Sequence, residues 1–180
     1  MDGYRRGIAP ADRPLIRLRP YPEPVLAIMA DASIDVVGVE ELPLVVDLYN
    51  RIFRPTRALE SFQRRFLGRN NALRLVARVD GQPVGFFLGF ELKPDTFFAW
   101  FYGVLPECRR MSVGSLLMEA AQTWAAQQGY EAIRLECHNL HRPMMHLAID
   151  LGYDVVGLRW DAARAANLVL FEKALVADGS

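Results

Sequence analysis

The chain has only two cysteines in 180 residues, Cys108 and Cys137. Two thiols make no disulfide framework, and a reducing, cytoplasmic setting is expected. No apolar stretch reaches the ~20 residues that a membrane-crossing helix needs. The N-terminus has arginines but no uninterrupted apolar core followed by a small-residue cleavage site, so no secretory signal is expected. Basic and acidic residues number 21 each, giving a formal net charge of zero. That balance offers no electrostatic case for a nucleic-acid partner. Lysine is scarce: Lys93 and Lys173 are the only two. No Gly-Lys pair occurs, which removes the Walker A phosphate loop.

Hydrophobic residues make up 52% of the chain, enough for one folded domain with a substantial core. Residues 1–32 stand apart in composition. Pro10, Pro14, Pro20, Pro22 and Pro24 rule out a helix there and favour extended backbone. They are expected to form an arm lying on the domain or on a second subunit, or else a tail. The domain proper is expected over 33–176.

Periodicity predicts the elements of that domain. A first strand covers 34–39. Leu42, Val45, Val46, Tyr49 and Phe53 follow with helical spacing. Thr56 can cap a second helix, which carries Leu59, Phe62 and Phe66 and ends at Gly68. Strands over 73–79 and 84–92 flank the Asp80-Gly81 turn, a strong hairpin signal. Another strand runs over 97–104. A long helix bears Val113, Leu116, Leu117, Ala120, Ala121 and Trp124 on one stripe and stops at Gly129. A buried strand over 132–137, a short helix ending at Gly152, and two closing strands over 153–160 and 167–174 complete the order. This pattern predicts an α+β domain built on a central sheet flanked by helices.

Residues 104–117 read VLPECRRMSVGSLL. An apolar strand enters a proline, two arginines and a small-residue turn, and an amphipathic helix follows at once. The free N–H groups at such a helix start, backed by the helix dipole, make an anion site. Arg109 and Arg110 add fixed positive charge. A pyrophosphate is the expected guest.

The run V-x-P-x-x-R-x-x-S-x-G over 104–114 resembles the acetyl-CoA signature of the GNAT superfamily of N-acetyltransferases. Arg109, Arg110, Met111, Ser112, Val113 and Gly114 stand in the motif, with Ser112 in place of its first glycine. If that position needs positive φ, a non-glycine residue costs roughly 1–2 kcal/mol. A serine hydroxyl there can cap the helix or meet a phosphate oxygen. The element order is also the GNAT order, over about 33–175. The resemblance implies a mixed, mostly antiparallel sheet and acetyl-CoA as cosubstrate. It implies that main-chain N–H groups from Arg110 to Ser115 hold the pyrophosphate. It also implies that the backbone near Val104 meets the pantetheine arm and the acetyl carbonyl.

All three histidines fall between 138 and 146, beside Cys137. A metal is not expected. Cys137 and His138 point to opposite faces of a strand, and His141 and His146 are five residues apart rather than four. By resemblance, His141 replaces an asparagine that touches the cofactor, while Asn139 lies two residues earlier; either can fill that role. Many relatives place a tyrosine four residues before the glycine that ends this helix, as proton donor to the departing thiolate. Ala148 stands there instead, leaving Tyr153 and His146 as donors by proximity, or water.

An ammonium must lose a proton before it attacks a thioester. Glu136 aligns with a general base of some ribosomal-protein acetyltransferases; its structural alternative is a cross-strand partner for an arginine. Glu91 is the reserve. Cys137 reads as a buried thiol. Phe97, Phe98, Trp100, Phe101 and Tyr102, like Phe53, Phe62 and Phe66, are expected mainly in the core.

The expected function is acetyl transfer from acetyl-CoA to a primary amine of a small molecule or protein N-terminus, by direct attack in a ternary complex. The alternative is a non-catalytic acyl-CoA-binding module. Neither nucleic acid nor membrane is expected as a partner, and the arm and closing strands allow a homodimer.

Overall fold

Asp80 and Gly81 both adopt positive φ, 50° and 73°. A two-residue hairpin needs that left-handed pair to match the twist of its strands. They join β2 (Leu73–Val79) to β3 (Gln82–Lys93) where the Asp-Gly signal predicts a turn. The computed structural model describes residues 32–175. Within them β1 (Ala32–Val36) pairs antiparallel with β2, and β4 (Thr96–Val104) with β3. β5 (Ala132–His138) joins β4 in parallel. β6 (Asp154–Asp161) and β7 (Ala166–Ala174) close the sheet in the order β1-β2-β3-β4-β5-β7-β6. The expected arm over 1–32 lies outside the described residues except for Ala32, which opens β1.

Each sheet face is covered by two helices. On one face, α1 (Leu42–Ile52) and α2 (Leu59–Phe66) bury Leu42, Val45, Leu48, Tyr49 and Phe62 against Val76, Phe86, Leu88 and Phe90. On the other, α3 (Val113–Gln127) and α4 (Arg142–Asp150) cover Leu75, Phe87, Phe97, Ile133 and Leu135. Each fully buried large apolar side chain contributes roughly 1.5–3 kcal/mol relative to exposure, so these two layers dominate the stability of the sheet.

Two local expectations are corrected. Thr56 does not cap α2: the helix starts later, with Ala58 at the N-cap and no side-chain cap bond. The buried stripe of α3 is rotated. Val113, Leu117, Met118, Ala121, Gln122 and Ala125 are buried, whereas Leu116, Ala120 and Trp124 are only half-buried. Gln122 can enter because both ends of its amide are used. Its Nε2 donates to the Tyr153 hydroxyl at 3.3 Å, and its Oε1 accepts from Lys173 Nζ at 2.8 Å.

The feature that positions the site is a parting of two strands. β4 pairs with β5 only from Thr96 opposite Ala132 to Ala99 opposite Leu135. Residues 100–104 and 136–138 then run without mutual pairing, so this stretch of β4 has no strand partner on its β5 side. Just there, the register against β3 steps from Gly89–Ala99 to Leu88–Phe101, leaving Trp100 as a bulge. Strict alternation along the aromatic strand therefore fails. Trp100 and Phe101 both join the α1–α2 side, and Tyr102 returns to the α3–α4 side.

Candidate active site

The turn after β4 is wound by two non-glycine residues at positive φ, Arg110 at 65° and Ser112 at 61°. Each such residue costs roughly 1–2 kcal/mol, and conformations of this kind persist where the surroundings enforce them. Ser112 is the N-cap of α3 but its hydroxyl makes no cap bond, contrary to the capping role open to it in the sequence. The first helical bond is Leu116 N–H to Ser112 C=O at 3.0 Å. Among the described residues, no backbone N–H from Arg110 through Ser115 has a protein acceptor. Six consecutive donors at a helix N-terminus form an anion cradle. Arg109 is tied back to the strand, its Nε donating to Val104 C=O at 3.2 Å.

Beside this turn lies a cleft of about 800 Å³, within the range of small-ligand sites. The end of β4 and the turn supply Val104, Arg109, Arg110 and Gly114, and α4 supplies Met144, His146 and Leu147. A Cβ on Gly114 would sit 3.5 Å from Leu147 Cδ2 and 3.9 Å from Val104 Cγ2. The position therefore tolerates a methyl sterically, while anything larger narrows the cleft. A long guest with an anionic end and an apolar arm fits this combination of free N–H donors and mostly apolar walls.

Tyr102 also lines the cleft, and its hydroxyl donates to the sulfur of Met144. Burial is the main cause that pushes this phenol far above the ordinary tyrosine range. Tyr153 lies elsewhere: it is buried in the core with its hydroxyl on Gln122, so it is not a donor to the cleft. His146 does face the cleft.

The remaining residues of the motif are dispersed. Met111 packs half-buried on the core, and the Val113 side chain is fully buried. Ser112 and Ser115 line a smaller depression of about 330 Å³ with Glu119 and Asp150. Asn139 and His141 are exposed and line neither cavity. The Asn139 N–H is held by Asn167 C=O at 2.9 Å, and His141 is the N-cap of α4 without a side-chain cap bond.

On the opposite face of the parted strands, β5 projects Arg134, Glu136 and His138, because its alternate residues Ile133, Leu135 and Cys137 are buried. Each projecting side chain has a partner of the complementary type. Arg134 donates to Glu172 on β7, and Arg159 Nη2 to Glu136 Oε2 at 3.3 Å. His138 Nε2 lies 2.8 Å from Asp161 Oδ2. That hydrogen bond is the first cause holding the Asp161 carboxyl below the usual range. Glu136 thus has the arginine partner that a structural role would give it, with Oε1 left over.

Glu91 is withdrawn as a reserve base. Its carboxylate accepts from Asn70, Asn71 and the Tyr130 hydroxyl. It also lies opposite Phe97, at the far end of β4 from the turn. Cys137 is the buried thiol expected, its pKa pushed up to about 11 by burial. Such a thiol is a poor nucleophile near neutral pH. Among the described residues, no three His, Cys, Asp or Glu side chains gather as a metal site.

Sequence reasoning did not assign Tyr102, His138 or Asp161. A bulge is invisible to periodicity, so nothing in the aromatic run marks Tyr102 as the residue that turns to the cleft. The His138–Asp161 contact joins residues 23 apart across β7 and has no local signature.

The model of the Acetyltransferase (GNAT) family matches residues 42–153. Three solved structures illustrate the likeness. The ribosomal-protein-S18-alanine N-acetyltransferase from Escherichia coli is 16% identical, with a TM-score of 0.72 over 83% of this chain and 97% of that one. Ard1 from Thermoplasma volcanium is 17% identical, with a TM-score of 0.70 over 82% and 99%. A GNAT-family acetyltransferase from Streptococcus pneumoniae is 17% identical, with a TM-score of 0.65 over 80% and 99%. At these identities the structures establish the shared fold. No curated protein matches the chain.

Proposed function

The chain belongs to the GNAT acetyltransferase family, and from that premise we propose that it transfers an acetyl group from acetyl-CoA to a primary amine within a ternary complex. The observation that carries this reading is the run of six main-chain N–H groups at 110–115 without protein acceptors, beside the cleft that Arg110 and Gly114 line.

Bound acetyl-CoA supplies an activated thioester carbonyl. Residues 110–115 hold its diphosphate, with Arg110 adding charge and Gly114 leaving room for the arm. The unpaired β4 backbone leading to Val104 receives the carbonyl oxygen, where fixed amides stabilise the charge that develops there. The amine arrives from the α1–α2 side of the parted strands. Glu136 takes its proton, directly or through water, with Arg159 holding the carboxylate in place. The nitrogen lone pair forms the N–C bond as the C–S bond breaks, and the sulfur leaves as thiolate.

Ala148 provides no proton for that thiolate. Tyr102 offers a hydroxyl in the cleft whose acceptor is a thioether, a weak one. Because burial raises its pKa, full transfer to a thiolate is uphill. Tyr102 therefore donates a hydrogen bond to the sulfur, and His146 or water supplies the proton. A hydroxyl so placed weighs against the alternative of a non-catalytic acyl-CoA-binding module.

Acetyl-CoA should raise the melting temperature of the purified protein, and a panel of primary amines should release free CoA thiol. Stabilisation with no thiol release from any amine would favour the binding module; no stabilisation at millimolar acetyl-CoA would end both readings.

The same reading extends to assembly and setting. β6 is an edge strand exposing Val156, Leu158 and Trp160, which supports a homodimer. Two free cysteines suit a reducing cytoplasm. No described helix is long and apolar enough to cross a membrane.

A further inference from the structure

Charge is segregated in this neutral chain. Residues 54–74 contain six arginines and one glutamate. Three of these arginines border the bulge on the amine side. The guanidinium of Arg57 lies 5.1 Å from the Phe101 ring centroid and 5.6 Å from that of Tyr49. Arg65 lies 5.3 Å from Trp100 and 5.4 Å from Phe90. Arg69 lies 4.7 Å from Phe90. Trp100 and Phe101 themselves stack with centroids 4.6 Å apart. Two guanidiniums therefore rest on one aromatic platform, and that platform is the part of β4 where the strands separate.

None of these three arginines forms an ion pair among the described residues, whereas Arg51, Arg78, Arg134 and Arg159 each have a carboxylate. Burial and the nearby charges of Arg69 and Arg57 pull the Arg65 pKa below its ordinary value, with Glu136 opposing. Glu136 opposes that crowding but is itself tied to Arg159, so three guanidiniums share little counter-charge and a further anion between them would be favourable. A guanidinium held near ring faces can still present N–H donors at its edge to a carboxylate or phosphonate.

We infer that the acceptor amine carries an anionic group, a carboxylate or phosphonate, which docks between Arg57 and Arg65 on the Trp100–Phe101 platform while its nitrogen reaches the strand opening beside Glu136. This inference rests on the acetyl-transfer reading and narrows its acceptor. The anion takes no part in bond making; it orients the amine and selects against neutral and cationic competitors.

The test compares matched amines at saturating acetyl-CoA by thiol release. One arm pairs α-amino acids with their α-amides. The amide has the less basic nitrogen and more free amine near neutral pH, so a preference for the acid cannot come from ionisation. A second arm pairs a peptide having aspartate second with its asparagine counterpart. The wild-type protein should favour the anionic member at least tenfold in kcat/KM in one arm; the arm that responds tells a small molecule from a protein N-terminus. Arg57→Gln and Arg65→Gln should each remove most of that preference through KM, leave the neutral member within about threefold, and leave the acetyl-CoA melting shift unchanged. Arg57→Lys and Arg65→Lys should keep part of it. Equal rates for both members in both arms, a preference for the neutral member, or variants that depress both members alike would overturn the inference. Loss of the acetyl-CoA shift in the wild-type protein would instead strike the cofactor reading. In that case calorimetry with aminomethylphosphonate on wild type and on the Arg57→Gln, Arg65→Gln double variant decides the anion site: binding that the double variant loses supports it, and no binding to wild type overturns it.

Discussion

Arg159 reaches across β7 from the edge strand to donate to Glu136 Oε2 at 3.3 Å. The contact gives Glu136 two roles to be told apart, a proton acceptor and a structural partner. Arg159 is largely solvent-exposed, so the pair contributes only a few tenths to about 1 kcal/mol to stability. A base contributes much more to rate. Glu136→Gln should lower kcat by about 10²–10⁴ while the melting temperature and the acetyl-CoA shift change little. Unchanged kcat in Glu136→Gln would leave the carboxylate as a strand tie and move attention to His138, two residues on and held by Asp161.

Gly114 tests the cleft without touching the core. A Cβ there meets Leu147 only at ordinary van der Waals distance, so Gly114→Ala should fold normally. Gly114→Trp projects an indole into the space between Val104 and Leu147. It should abolish the acetyl-CoA melting shift, which for a ligand at a hundred times its Kd reflects a stabilisation of about 2.7 kcal/mol. A shift that survives in Gly114→Trp places the cofactor elsewhere.

Tyr102→Phe removes one oxygen and leaves the ring between the strand and α4. If the hydroxyl supports the departing sulfur, kcat should fall about tenfold or more while KM for acetyl-CoA holds. Its partner Met144 is a weak acceptor, so little stability should be lost. A fall in stability with kcat intact would make Tyr102 a packing residue.

The element order and the hairpin are legible in sequence because they depend on local signals: an Asp-Gly turn, a 3.6-residue stripe, and glycines at 68, 129 and 152 that take positive φ at helix ends. The donor run at 110–115 is legible for the same reason, since motif and geometry lie in one short segment. What periodicity cannot supply is the bulge at Trp100. One extra residue reverses the facing of everything after it, sending Phe101 to the amine side and Tyr102 to the cleft. The ties of Glu136 to Arg159 and His138 to Asp161 also depend on strand order β5-β7-β6, which no local pattern encodes. Asn139 and His141 show the converse: their motif positions suggest a cofactor contact, yet both side chains lie outside the cleft.

Alkaline pH should destabilise the fold in a defined window. Burial raises the Cys137 thiol to about 11 and lifts the Tyr102 and Tyr153 phenols well above their usual range. Groups with raised pKa values keep their protons in the folded state after the unfolded chain has lost them. Their stabilisation is complete below the unfolded values near 8.5–10 and is lost as pH climbs toward the folded ones. Urea midpoints should therefore hold between pH 7 and 8 and fall from about pH 9, as the unfolding free energy drops by up to about 1.4 kcal/mol per pH unit for each titrating group. Cys137→Ala should soften the first part of that fall, and a midpoint that stays flat to pH 11 would contradict the burial of all three groups.

Ser112 concentrates the trade between stability and the anion cradle. It sits at φ 61° with no cap bond from its hydroxyl, so the side chain adds strain and returns no hydrogen bond. Ser112→Gly relieves about 1–2 kcal/mol of left-handed strain and gives some of it back as unfolded-chain entropy. The net expectation is a gain of about 0.5–1 kcal/mol in urea unfolding. Ser112→Ala keeps the strain and loses only a hydroxyl without a partner, so it should change stability by less than about 0.5 kcal/mol. If Ser112→Ala instead costs the ~1 kcal/mol typical of a lost N-cap, the hydroxyl caps the helix in solution. Both variants keep every main-chain donor from 110 to 115, so both should retain the acetyl-CoA shift. A large loss of that shift in Ser112→Ala alone would mean that the serine oxygen, rather than the backbone, meets the phosphate.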